Sequence, residues 1–431
     1  MPSASLATSP VIDRPAPWLG ELLAALPAPA GALAAQQSLA RTQLAGGSLP
    51  DRRQEAWRFT PLDALRALDP ASLVRPPALA AAGDPVLGSG WPPPAADALR
   101  LVVDGQGDPF AGATLPAGLE PLSGEALRAA LGQALQRCGC DHDWPPLLNQ
   151  AVGAPPLALR VTAAAPVRLE LIGDAAGAGL LALRLLLVLE PGADLELLHV
   201  QRSRAGSLTS LVLEADLAAG SRLRHGFLAT GHREAVLLAH HAILQAPGSE
   251  LELSCASGGW GLARLEPRVL QTQGAALTRL RGLHCVAEGA LADTHSLVRF
   301  EGPEGKLDQL HKVVADGNGH SVFNGAVQVP RQAQRTDASQ LSRALLLSER
   351  ACVDTKPELA IVADDVRCAH GATISRLQDD ELFYLCSRGI DADRAARLLL
   401  RGWCEEVLRT LPAAAASWQP LEMLLGEASP R

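Results

Sequence analysis

The sequence predicts a mainly β protein with helical ends, and three observations carry that prediction. From about residue 156 to 375, apolar and polar residues alternate with a period of two in short runs broken by Gly, Asp or Pro, as in "LALRVTA", "VRLELIG", "LELLHVQR" and "LELSCAS". Residues 1–75 and the segment after 390 place apolar side chains at helical spacing instead. The chain has 431 residues, and its aromatic content of 3% requires an aliphatic core.

Taken in order, the N-terminal helices run through "WLGELLAALPAPAGALAAQQSLARTQLA" and resume after "EAWRFTPLDALRAL", with Pro and Gly at their ends. Residues 76–97 have the composition of a linker, "LRLVVDG" ending at Gly105 is a short strand candidate, and a mixed region follows to about 155. The central strand units recur at short intervals with few helical patterns between them, which fits a sandwich, a barrel or a parallel β-helix. Stacked coils fit best, because inner faces buried in a β-helix explain the excess of Leu and Val, although no repeat of fixed length is visible. The closing "IDADRAARLLLRGWCEEVLRTL" offers Asp391 as an N-cap, Asp393 and Arg397 four apart, and an apolar stripe of Ala396, Leu399, Leu400, Trp403, Val407 and Leu411. The expected division is a helical and mixed domain over 1–155, a β core over 156–375 and a helical domain over 376–431.

Composition excludes several functions. Lys plus Arg number 38 against 46 for Asp plus Glu, a net charge of −8, so no overall field draws the chain to nucleic acid or anionic lipid. No run approaches the ~20 apolar residues that span a bilayer, and the N-terminus lacks the cationic region of a signal peptide, so the expected compartment is the cytoplasm. The 8 Cys are dispersed and are expected to be thiols. A phosphate loop is absent: "GPEGK" at 302–306 is followed by Leu307 rather than Ser or Thr, so the chain should not bind ATP directly. "GDAAGAG" at 173–179 is a turn, not a dinucleotide fingerprint, and "CGCDH" at 138–142 reads as a polar turn carrying thiols.

Ten of the 11 His fall between His199 and His370, among Cys255, Cys285, Cys352 and Cys368. On strands, Asp293 with His295, and Gln309 with His311, each share a face, so stacked coils could gather such groups; otherwise they are outward positions that tolerate His. The only three lysines, Lys306, Lys312 and Lys356, lie within one short window. The densest constellation is "KPELAIVADDVRCAHGAT" at 356–373, where Asp364, Asp365, Cys368 and His370 are close in sequence. On one strand Cys368 and His370 share a face about 7 Å apart, a pair suited to iron or another thiophilic metal. A structural role and a nucleophile–base pair are the other readings.

Four blocks, "RQEAWRFTPL" (53–62), "LLNQAV" (147–152), "HSVFNGAVQVPRQAQRTDASQLSRALLLSERACVDTKPELAIVADDVRCAHGATISRL" (320–377) and "ELFYLCSRGI" (381–390), resemble the SufB/SufD family of the SUF iron–sulfur cluster assembly system. The resemblance implies a central right-handed parallel β-helix between N-terminal and C-terminal helical domains. It implies a non-catalytic scaffold subunit that pairs with SufB through the β-helix and engages the ABC-type ATPase SufC through its C-terminal domain. An iron–sulfur cluster, or iron, would then be held transiently and shared with SufB. By position, His370 matches the family histidine that faces the essential SufB cysteine, which makes it the expected iron ligand, with Cys368 an accessory thiol. The helix carrying Arg394, Arg397 and Trp403 resembles the segment that docks SufC. The competing functions are a β-helical enzyme acting on polysaccharide, which 14 aromatic residues and an expected cytoplasmic N-terminus disfavour, and a structural homodimer with His370 buried in a core hydrogen bond.

Overall fold

In the computed structural model, which describes residues 17–74, 91–105, 108–174 and 179–425, the central region winds into a parallel β-solenoid. The stretch 1–16, the linker over 76–90 and most of the Gly-rich turn after Gly173 lie outside the described residues. From Leu157–Val161 onward, successive strands alternate between two nine-stranded sheets. One begins with Ala98–Val103 and ends with Arg367–Ser375; the other begins with Leu119–Pro121 and ends with Cys352–Ile361. Among the described residues the pairings are parallel except that of Leu119–Pro121 with Leu157–Val161.

Unequal coils explain why no repeat is visible in the sequence. Asp194 lies against Arg222 and Arg222 against Glu250, so these two coils are equal in length, whereas Lys306 lies against Asp337, across a longer coil. The register is kept by the hydrogen-bond ladder, so loops can vary without disturbing the stack. Inside the solenoid, side chains of equal register form columns running along its length. One column reads Leu99, Leu169, Leu197, His225, Leu253, Leu280, Gln309, Gln340 and His370. The next inward column reads Leu101, Leu171, His199, Phe227, Cys255, Gly282, His311, Ser342 and Ala372. The lumen is therefore leucine-rich at its N-terminal end and becomes polar toward its C-terminal end. Each fully buried leucine contributes about 1.5–3 kcal/mol.

The outer faces are covered as well. Trp18, Leu19, Leu22, Leu44, Trp57 and Leu148 of the N-terminal helical layer pack on Leu208, Val236, Leu238 and Leu262 of the second sheet. The C-terminal helix Ala392–Leu408 packs Leu400, Cys404 and Val407 on Leu198, Val200, Leu228 and Leu283 of the first. Asp391 caps this helix as expected, its carboxylate accepting from the Arg394 amide. The buried stripe is turned slightly from the expected one: Ala395 and Cys404 are buried, while Ala396 and Leu399 are only half-buried. The helix ion pairs join Glu405 to Arg401 and Arg409. Gly226 lets this end of the chain approach, since a Cβ there would lie 2.2 Å from the Pro412 ring.

Two of the three lysines fasten the helical layers to the solenoid. Lys312 is buried, lies over the Trp403 ring at 4.3 Å, and donates to the Trp403 carbonyl at 2.8 Å and to Glu406. Lys356 donates to Glu55 at 2.6 Å and is also paired with Glu358.

Candidate functional site

The last coil differs from those before it. The strands Cys352–Ile361 and Arg367–Ser375 end their sheets, so each leaves one edge without a strand partner. Asp337–Leu346, the neighbour of Arg367–Ser375, alternates between buried and open positions along most of its length, whereas every residue of Arg367–Ser375 is exposed or half-buried. Cys368, His370, Ala372 and Ile374 share the parity of Ala338, Gln340, Ser342 and Ala344 and so occupy the inward face, but no further coil covers them. His370 is exposed and Cys368 half-buried against the end of the core. Burial pushes the Cys368 thiol up from its ordinary value, and the Asp337 charge adds to this.

Behind His370 the column stays polar. Gln340, 2% exposed, donates to Gln309 Oε1 at 2.9 Å, and Gln309 donates to Ser296 Oγ at 2.8 Å. Gln340 Oε1 has no hydrogen-bond partner, and His370 is the next residue of the column. Deeper in, His284 joins Ser257 Oγ at 2.6 Å and Thr294 Oγ1 at 2.7 Å, and His311 stacks on Phe323 with centroids 4.3 Å apart. A cavity of about 30 Å³ lies between Cys255, His284, Gln309 and His311. Farther still, His225 stacks with His199 at 6.2 Å and meets His241 at 5.6 Å. Burial drives every one of these imidazoles toward the neutral form: His199 is lowered to about 3, His241 and His284 to about 4, and His225 and His311 well below the ordinary value. Burial likewise raises the Cys255 thiol to about 12. The interior is thus a neutral, protonated-thiol environment.

The structure changes the reading of several sequence features. His199, His225, His241, His284 and His311 are inward and buried, not outward positions that tolerate His. Gln309 and His311 do share the inward face, but Asp293 and His295 lie on the outer one, where His295 Nε2 is 3.0 Å from Asp293 Oδ1. That outer cluster is structural. Arg264, fully buried, is held by Glu266 at 2.6 Å and by Asp293, and lies over the Trp57 ring at 3.7 Å. Thr60 donates to Asp293 as well, so "EAWRFTPL" acts as a clamp over a buried arginine. Burial is the largest single influence on the Glu266 carboxyl and would raise it, but the charge and hydrogen bond of Arg264 together with the charges of His240 and Arg268 outweigh it and the group is lowered.

Arg394 and Arg397 are exposed on the C-terminal helix, while Trp403 is half-buried over Lys312. They stand on a different element from His370 and Cys368, which lie on the strand Arg367–Ser375. The residues that periodicity alone did not single out are apolar and exposed: Ile361 at 39%, Val362 at 57% and Ile374 at 51% on the last coil, and Phe383 at 74% and Tyr384 at 57% on the helix Asp379–Ser387 that follows. Their signal in the sequence is faint, two adjacent aromatic residues in a chain that has few.

Residues 171–403, most of the C-terminal helix and all but the first strands of the solenoid, match the family model described as "SUF system FeS cluster assembly, SufBD core domain". The chain belongs to the SufB/SufD family. Within that family it is similar to Protein ABCI7, chloroplastic, of Arabidopsis thaliana, at 43% identity over 209 residues, 47% of this chain and 43% of that protein. It is also similar to iron-sulfur cluster assembly protein SufD of Escherichia coli, at 32% identity over 213 residues, 49% of this chain and 50% of that one. SufD of Bacillus subtilis is 37% identical over 114 residues, 26% of each chain. These relatives put the chain on the SufD side of the SufB/SufD family, and the matches span half or less of their lengths. Cys368, His370, Arg394, Arg397 and Trp403 all fall inside the family-model match. No helix among the described residues is long and apolar enough to cross a membrane.

Proposed function

We propose that the chain is a non-catalytic scaffold subunit of cytoplasmic iron–sulfur cluster assembly, which pairs with a SufB-type solenoid through its open last coil and engages the SufC ATPase through its C-terminal helices. The observation that carries this reading is the uncovered coil itself. Two edge strands end there beside exposed Ile361, Val362, Ile374, Phe383 and Tyr384, in a chain whose family acts in cluster assembly. Bare edges and apolar groups together favour a partner that continues the stack.

His370 and Cys368 would then face the partner's side of the junction. An imidazole and a thiol two residues apart on one strand, backed by the buried Gln340 carbonyl, form a rigid pair of soft and borderline donors for iron brought as cargo. A hydrogen bond from one ring nitrogen of His370 to Gln340 would leave the other ring nitrogen directed outward. The exposed Arg394 and Arg397 supply a basic face suited to an acidic surface of the ATPase, with Trp403 holding their helix in place. The reading in which His370 is buried in a core hydrogen bond does not fit its exposure.

The test is co-expression with SufB and SufC partners, followed by reconstitution with iron and sulfide without oxygen. The complex should assemble with both the wild type and His370→Ala, and cluster absorbance should collapse only in the variant. An unchanged cluster yield in His370→Ala would remove the ligand role, and failure of the wild type to assemble with its partners would remove the scaffold reading.

A further inference from the structure

A second donor set lies on the same coil but on the opposite sheet. Cys352 and Asp354 are two residues apart on the edge strand Cys352–Ile361, so the pleat turns both to one face. His320, the first residue of the neighbouring strand His320–Val329, is the direct register partner of Cys352, and Val322 that of Asp354. The parity of Val322, which packs beneath the N-terminal layer, makes this the outer face. One ligand atom from each of His320, Cys352 and Asp354 lies within 4.8 Å of the others, and His320 Nε2 is 2.7 Å from Asp354 Oδ2.

We propose that His320, Cys352 and Asp354 form a binding site for a thiophilic divalent cation of the zinc type, with a fourth position open to solvent. One imidazole, one thiolate and one carboxylate are three different donors of the kind that zinc accepts, and three protein ligands leave the open position of a non-structural site. Access is direct, because Cys352 is exposed and His320 and Asp354 are half-buried. The local charge permits a cation: the next outward side chain along the strand, Lys356, is already neutralised by Glu55 and Glu358. By contrast, the other convergence of donors, Asp143, His240 and Glu266, is filled by guanidinium groups, since Glu266 pairs with Arg264 and Arg268 and Asp143 lies 3.8 Å from Arg268. The site is distinct from Cys368 and His370, which sit on the other sheet.

The test is titration of the full chain, stripped by chelator, with Co²⁺ alone and then with Zn²⁺. One Co²⁺ per chain should bind, giving a sulfur-to-cobalt charge-transfer band with visible bands of four-coordinate intensity, and Zn²⁺ should displace it. In a Cys368→Ser background, which removes the thiol of the other candidate metal-binding pair, Cys352→Ser should abolish the charge-transfer band, whereas Cys386→Ser should leave it. His320→Ala and Asp354→Asn should each weaken binding by about tenfold or more, as loss even of an outer partner of a metal ligand does. Thermal melts that match the wild type establish that each variant is folded, and the near-isosteric Asp354→Asn serves if another is not. A charge-transfer band that survives Cys352→Ser in that background, or the absence of saturable Co²⁺ uptake by the wild type, overturns the site.

Discussion

Arg264 is the residue on which the N-terminal layer turns. It places a guanidinium between Glu266 and Asp293 in a region with no solvent, with Trp57 stacked over it. Arg264→Met removes the guanidinium between two buried carboxylates, leaving Glu266 to Arg268 and Asp293 to His295 and Thr60, so the loss of stability should approach about 3 kcal/mol, the lower end of the cost of breaking a buried pair from one side. A denaturant titration checks this. The buried histidines make a separate prediction about pH. His199, His241 and His284 titrate at about 3, 4 and 4 in the folded chain, against about 6.5 when unfolded. Below about pH 6.5 the unfolded state therefore takes up protons that the folded state refuses, and stability falls as pH drops toward 4. Their slope is half its full size at about pH 6.5 and fades above about pH 7.5. His241→Phe should reduce the slope between pH 6 and 4.5 by about one proton, read from urea midpoints against pH. The sequence made the enrichment of histidine in the strand region plain but not its direction, because a strand buried on both faces carries no polar side to set the phase.

At the scale of elements, the strands and the C-terminal helix were legible and the coil was not. Period-two alternation marks strands such as Leu208–Leu217 and Glu250–Gly258, and Asp391 with Leu400 and Val407 marks the last long helix. The stripe on that helix departs from its expected line where Ala and Cys, weak hydrophobic markers, are the buried residues. Register is invisible without knowledge of which strand lies two strands away, and coils of unequal length defeat a search for one fixed period. The Cys368 and His370 pair was legible from its spacing, while the His320, Cys352 and Asp354 set joins residues of different strands and needed the register. The docking of the C-terminal segment depends on Gly226. Gly226→Ala would set a Cβ against the Pro412 ring, costing about 1–3 kcal/mol as other overpacked sites do. Hydrogen exchange should show residues 413–425 losing protection first, with the solenoid strands little changed.

For the whole molecule, the two ends of the solenoid are unlike. At the N-terminal end the lumen is closed by leucine columns and Leu119–Pro121 crosses in antiparallel fashion, while the C-terminal end stops at bare strands with His370 among exposed apolar groups. Because His370 is exposed, His370→Ala should change stability by no more than about 0.5 kcal/mol, so an effect on cluster yield would not be an effect of folding. Equal melting temperatures for the two proteins check this. The proposed pairing uses this asymmetry: the uncovered coil is where a partner's solenoid would continue the stack.

The central claim is that the open coil is the pairing surface, and it is tested most directly by a charge placed upon it. Ile374 is 51% exposed on the last strand, so Ile374→Arg should leave the isolated chain folded with an unchanged melt. The molar mass of the mixture with SufB, measured by light scattering after size exclusion, should be that of the heterodimer for the wild type and of separate subunits for Ile374→Arg. A heterodimer that forms equally well with Ile374→Arg would place the partner on another face and contradict the account.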